Sequence, residues 1–248
     1  MTAQFWFWLT TFAMLVGGLA ILALGKRRTP GEESQTVLHG IVPIIAACSY
    51  FAMAVGQGSI ALPIEGVSGA TRDFYFARYV DWTFTTPLLL TALSLTAQHS
   101  GVRRHGAMAG LLLSDVMMIA TALFFGLSVT SWIKWTWFLI SCVAFLGVFY
   151  VLWVSYMHEV KAERDDVQAN YRRNATILSV LWTGYPLILL VGTDGLGLIG
   201  SAASTAVIAI LDLTAKVGFG LMVTTSHAKT VDRDLAEHDA PRRVRVPA

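Results

Sequence analysis

The chain has 248 residues, 55% of them hydrophobic and only 14% charged, with a formal net charge of +2. A soluble domain usually carries about a quarter charged residues, so this composition excludes an ordinary water-soluble protein, and so small a positive balance does not suggest nucleic-acid binding. Charge is confined to short islands between seven apolar runs, near residues 4–25, 36–57, 77–98, 106–127, 132–156, 173–192 and 200–223. Each approaches the ~20 residues that cross a hydrocarbon core of about 30 Å.

The runs predict an all-α membrane protein: a seven-transmembrane-helix bundle over 1–225, followed by a hydrophilic, disordered cytoplasmic tail over 226–248. Basic residues set the orientation. Three follow the first span (Lys26, Arg27, Arg28), two the third (Arg103, Arg104), four the fifth (Lys161, Arg164, Arg172, Arg173), and five lie after the seventh, 14 of the 18 Lys+Arg in all. By the positive-inside rule that side is the cytoplasm. An odd number of spans then puts the N-terminus outside. The expected location is the cell membrane, multi-pass, and specifically a bacterial inner membrane.

Span one has no ionisable residue inside it, and Trp6 and Trp8 suit an interfacial belt. Its basic cluster follows the apolar run, unlike that of a cleaved leader. Span two carries His39 near its cytoplasmic end, then Pro43, Cys48 and Tyr50. A histidine there is commonly structural. The loop from Gly56 to Asp73 has room for a small hairpin. Both cysteines, Cys48 and Cys142, fall inside spans, so neither a disulfide framework nor a metal site is indicated.

Span three places Arg78, Asp81 and Thr85 on one face through i,i+3 and i,i+4 spacing. Span four carries Asp115 and Met118, and span five Trp137, Phe138 and Ser141. Span six carries Trp182, Tyr185 and a mid-helix Pro186. Gly192 to Gly197 forms a tight external turn bearing Asp194. Span seven holds Asp212 and Lys216 at i,i+4, a turn apart inside an apolar segment. Charges at membrane depth are costly and need partners. The pair is either a structural ion pair or a lysine nucleophile that forms a Schiff base beside its counterion.

Three strings bear on that choice: Arg78 to Leu90 (RYVDWTFTTPLLL), Leu181 to Pro186 (LWTGYP) and Leu211 to Leu221 (LDLTAKVGFGL). In this order they resemble the microbial (type 1) rhodopsins, in particular the bacteriorhodopsin-like proton-pumping branch, across the whole seven-helix core. The resemblance implies all-trans retinal bound covalently at Lys216. Asp81 would be primary counterion and proton acceptor, and Asp212 the second counterion. Arg78 would act on both carboxylates from outside, and Thr85 would bond Asp81. The implied retinal pocket is Tyr50, Trp82, Thr86, Leu89, Met118, Trp137, Phe138, Ser141, Trp182 and Tyr185. Such a protein is a light-driven transporter rather than an enzyme. Its partners are the lipid bilayer, protons and further copies of itself in a trimer or pentamer.

The sequence departs from the pattern at three places. The carboxylic acid that usually returns a proton from the cytoplasmic side, 11 residues after the counterion, is here Ala92. His39, 11 residues before Tyr50, is the candidate replacement, because a histidine titrates near neutral pH. Ser204 stands where a partner for Asp194 is expected in proton release. Bulky Phe138 occupies a position that is glycine in members with a carotenoid antenna, so retinal is expected to be the only chromophore. The expected activity is outward proton pumping. The alternative is a photosensory rhodopsin signalling to a separate transducer, which the missing donor favours.

Overall fold

The computed structural model describes residues 2–99 and 105–239, so Arg103, Arg104 and residues 240–248 lie outside the described residues. Seven helical rods make up the fold: α1 (Ala3–Leu24), α2 (Pro30–Ala54), α3 (Ala77–Ala97), α4 (His105–Leu127), α5 (Ser131–Val160), α6 (Asp165–Val191) and α7 (Ser201–His238). Among the described residues, all but α3 are long and apolar enough to cross a membrane on composition alone. In α3 the inward-facing Arg78, Asp81, Thr85 and Thr86, all buried, dilute the apolar sequence. The bundle's outside is apolar, with Phe12, Val16, Leu113, Leu139, Val143 and Val180 exposed. An apolar belt of this kind faces lipid, so helix packing relies on close fit rather than on expulsion of water. Gly18 and Gly40 show that fit, since a Cβ at Gly18 would lie 2.8 Å from the Gly40 carbonyl oxygen.

Local chemistry starts and stops the helices. Thr2 and Thr29 cap α1 and α2 by accepting from Phe5 N and Glu32 N, and Pro30 occupies the first turn of α2, where a missing N–H costs nothing. The α2–α3 loop forms the anticipated hairpin. Its strands β1 (Ile60–Pro63) and β2 (Thr71–Phe74) pair antiparallel, with Ile60 opposite Phe74. Gly66 and Gly69 turn the chain at φ of 79° and 74°, a region open to glycine without steric cost.

The hydrophilic segment after residue 225 corrects an expectation. Read from composition as a disordered tail, it continues α7 as helix through His238. The reason is tertiary. Asp232 pairs with Arg28 at 2.5 Å, Asp234 with Arg164 at 2.7 Å, and Asn170 donates to Thr230 at 2.8 Å. Val231, Thr230 and Ala228 are buried by the same docking. Two helices also contain a π-helical turn, Val151–Ser155 in α5 and Thr214–Gly218 in α7. The second contains Lys216.

Candidate functional site

The bundle brings Lys216, Asp81 and Asp212 together, each no more than 2% exposed. Lys216 Nζ donates to Asp212 Oδ1 at 2.6 Å and to Asp81 Oδ2 at 2.8 Å. The i,i+4 spacing on α7 accounts for the first contact; only packing of α3 against α7 produces the second. π-Helical turns recur at functional sites because the wider turn re-aims a side chain. Lys216 sits in one.

The two carboxylates are unequal. Asp212 also accepts from Tyr50 Oη at 2.6 Å, from Tyr185 Oη at 2.7 Å and from Trp82 Nε1 at a longer 3.4 Å. Asp81 has Lys216 alone on Oδ2, and its Oδ1 has no partner among the described residues. Asp212 thus has donors on both carboxylate oxygens, whereas Asp81 keeps one oxygen free of them. Thr85 does bond Asp81, donating to its backbone carbonyl at 2.9 Å.

Arg78 is buried on the opposite side of this cluster from α7's basic end, but forms no ion pair with either carboxylate within 4 Å. Its Nη2 donates to Thr205 at 2.7 Å, and its guanidinium lies 4.8 Å from the Tyr75 ring centre. Any stabilisation of the carboxylates by Arg78 therefore acts through space. Asp194 pairs with Arg72 of β2. Ser204 is buried, its hydroxyl without a partner among the described residues.

Burial pushes the Asp194 carboxyl up, and Arg72 beside it opposes the shift. A carboxyl raised in the folded state contributes stability below its unfolded value, about 3.9, which is lost as pH rises through the folded one. Arg72→Gln removes the opposing charge. Its deficit in melting temperature against the wild type should therefore be larger at pH 7 than at pH 4; an equal deficit at both would show that Arg72 acts only through its bond to the Gly126 carbonyl.

Beside Lys216 lies an apolar cavity whose walls include Trp82, Thr86, Leu89, Met118, Phe138, Ser141, Trp182, Tyr185 and Asp212. Two of the pocket residues named from sequence are placed elsewhere. Tyr50 stands behind Asp212 as its donor, and Trp137 packs on Phe124 with ring centres 5.0 Å apart. The walls also include Ile119, Ala122, Phe125 and Phe145, ordinary apolar residues that no motif distinguishes from core. Asp115, the span-four carboxylate, lies behind the cavity wall at Thr86. It meets Thr86 Oγ1 at 2.7 Å, and that hydroxyl also lies 2.8 Å from the Trp82 carbonyl. A hydroxyl has one hydrogen for two acceptors; the group is satisfied when Asp115 is protonated and donates.

His39 is buried, with Nδ1 at 3.0 Å from the Gln35 carbonyl and its ring 5.9 Å from that of Phe219, one turn beyond Lys216. The residue that meets Ala92 is Gln35, not His39: its Nε2 donates to the Ala92 carbonyl at 2.8 Å. His39 lies one turn further along α2, nearer the lysine.

A seven-helix membrane protein with one buried lysine between two unequal carboxylates, facing an aromatic cavity, defines a narrow class. The chain belongs to the bacteriorhodopsin-like family, the microbial (type 1) rhodopsins, whose profile matches residues 1–230. Members of that family bind retinal. Archaerhodopsin-2 of Halobacterium sp. (strain aus-2) is 38% identical over 237 residues, covering 95% of this chain and 87% of that protein. Bacteriorhodopsin-II of Haloarcula marismortui is 38% identical over 90% of this chain and 87% of that one. Among solved structures, the light-driven proton pump rhodopsin of Coccomyxa subellipsoidea superposes with a TM-score of 0.83 at 33% identity, covering 91% and 96% of the two chains. The thermophilic rhodopsin of Rubrobacter xylanophilus gives 0.82 at 36% identity over 90% and 95%.

Proposed function

We propose that this protein is a light-driven outward proton pump that holds retinal covalently at Lys216. The observation that carries the reading is the asymmetry at Nζ: one carboxylate saturated with donors, the other with a bare oxygen. The residues fit the chromophore. Lys216 has three N–H donors and commits two of them, its side chain lines the cavity, and the walls are apolar and aromatic. Retinal bound there would supply visible-light absorption and leave the nitrogen holding a single proton.

The chain's own groups do the rest. Asp81 and Asp212 stabilise a proton on Nζ while the N–H points at them. When that alignment is lost, Asp81 accepts the proton, because it has an oxygen free of donors while Asp212 is already occupied by Tyr50, Tyr185 and Trp82. Replacement comes from the cytoplasmic side through His39, one turn beyond Lys216 and with Nε2 free of partners among the described residues. Phe138 in the cavity wall supports retinal as sole chromophore, and the apolar exterior leaves lipid and further copies of the chain as neighbours. The proposed location is a bacterial inner membrane.

The test is illumination of cells expressing the protein with added retinal. External acidification abolished by a protonophore is the expected result; a visible band without acidification would favour the sensory alternative. His39→Ala should slow return of the proton to the nitrogen on the order of a hundredfold, the usual scale of a positioned acid–base group. Unchanged recovery of the absorption band after a flash would remove His39 from the route.

A further inference from the structure

On the basic side of the bundle, three polar atoms are buried with no partner among the described residues: Gln35 Oε1, His39 Nε2 and His227 Nε2. They are aligned. On α2, Gly31, Gln35 and His39 follow at four-residue steps, and on α7, Gly220, Thr224 and His227 follow at i, i+4, i+7, so each set forms one helical stripe. The stripes face each other. A Cβ built at Gly220 would lie 3.3 Å from His39 Cβ, and one built at Gly31 would lie 3.4 Å from His227 Nε2. His39 and His227 thus mark two ends of one seam, seven residues of α7 or about 10 Å apart. Gln35 stands between them with its amide fixed, Nε2 donating to the Ala92 carbonyl at 2.8 Å and to Thr96 at 3.3 Å. That leaves Oε1, an acceptor, buried and without a partner among the described residues. Ala92, which lacks the usual acid, gives its carbonyl to this anchor.

We propose that the seam is the proton-uptake route, with His227 the residue that takes the proton from the cytoplasm and Gln35 the positioning residue that guides it to His39. The proposal rests on the reading of His39 as the internal relay. An N–H bond forms at His227 Nε2 at the expense of bulk hydronium, then breaks as the proton passes along the seam to His39 Nε2. No redox partner is needed. The mouth suits the task. Glu32, held by Arg28, faces His227 from α2. His99, past the end of α3, has its ring centre 6.0 Å from that of His227 and its Nε2 3.0 Å from Asp234 of α7, which Arg164 also holds. Carboxylates at a mouth raise the local proton concentration.

The test uses the full-length protein in lipid nanodiscs with retinal, following proton uptake with a pH-sensitive dye after a flash. His227→Gln keeps a polar side chain but cannot titrate. It should slow uptake by about tenfold or more and make the rate follow bulk proton concentration, with added imidazole restoring it. A second readout needs no light: in the retinal-free protein carrying isotope-labelled histidine, solvent exchange of the His39 ring proton should slow in His227→Gln. Gln35→Leu should slow both while leaving His227 titrating as before. Wild-type uptake and exchange in His227→Gln would overturn the route and leave pumping intact. Conversely, no acidification by the wild type, with His39 exchange still dependent on His227, would uphold the route and defeat the pump. If a variant fails to form pigment, the retinal-free exchange decides.

Discussion

Asp81→Asn is expected to abolish light-driven acidification while the visible band survives and moves to longer wavelength. Asp81 is the only member of the triad with an oxygen free of donors, and an amide there cannot take up a proton. The loss should exceed the hundredfold scale of a single acid–base group, because Asp212 is already saturated by Tyr50, Tyr185 and Trp82 and cannot substitute. The band shift follows from removing one of two negative charges that hold positive charge at Nζ. Asp212→Asn should behave differently: two tyrosine hydroxyls lose a charged acceptor in a buried setting, so pigment yield falls as well as pumping. Acidification by Asp81→Asn at the wild-type rate would refute the assignment of acceptor.

Lys216→Ala is expected to yield no visible band with added retinal and to destabilise the retinal-free protein. Removing one partner of a buried ion pair costs about 3–5 kcal/mol because the remaining charge is left without compensation. Here two carboxylates would remain, with no cation within 4 Å among the described residues. The second substitution Asp81→Asn in that background should therefore recover part of the lost thermal stability, although alone it removes a contact. Groups that share one network are non-additive in this way. Additive losses in the double variant would mean that Lys216 and Asp81 do not interact as their 2.8 Å separation implies. A visible band in Lys216→Ala would dismiss the covalent site.

Seven long apolar stretches, scarce charge and a lopsided basic distribution are properties of the chain itself, and a bilayer permits few folds to such a chain because every backbone polar group must be satisfied within it. The bundle was therefore legible in composition. So was the lysine with its near aspartate, since i,i+4 spacing on one helix brings the two side chains together without help from any other element. The motif strings carried Asp81, Trp82, Trp182 and Tyr185 to the same place.

What the sequence could not decide is which equal-looking residues meet across helices. Asp81 and Asp212 are both intramembrane aspartates in the sequence; only packing gives one of them four donors and the other a single lysine. Trp137 and Trp182 are both aromatic residues on inward spans, yet only one reaches the cavity. Gln35 and Arg72 look like ordinary polar positions until α3 and the turn after α6 supply their partners. The acidic and basic residues beyond 225 look disordered, because polar composition alone does not reveal that Arg28, Arg164 and Asn170 from other elements hold them in a helix. Periodicity and cost at membrane depth are local and are written in the chain. Inequality between chemically identical side chains is set by neighbours distant in sequence, and only the tertiary structure supplies them.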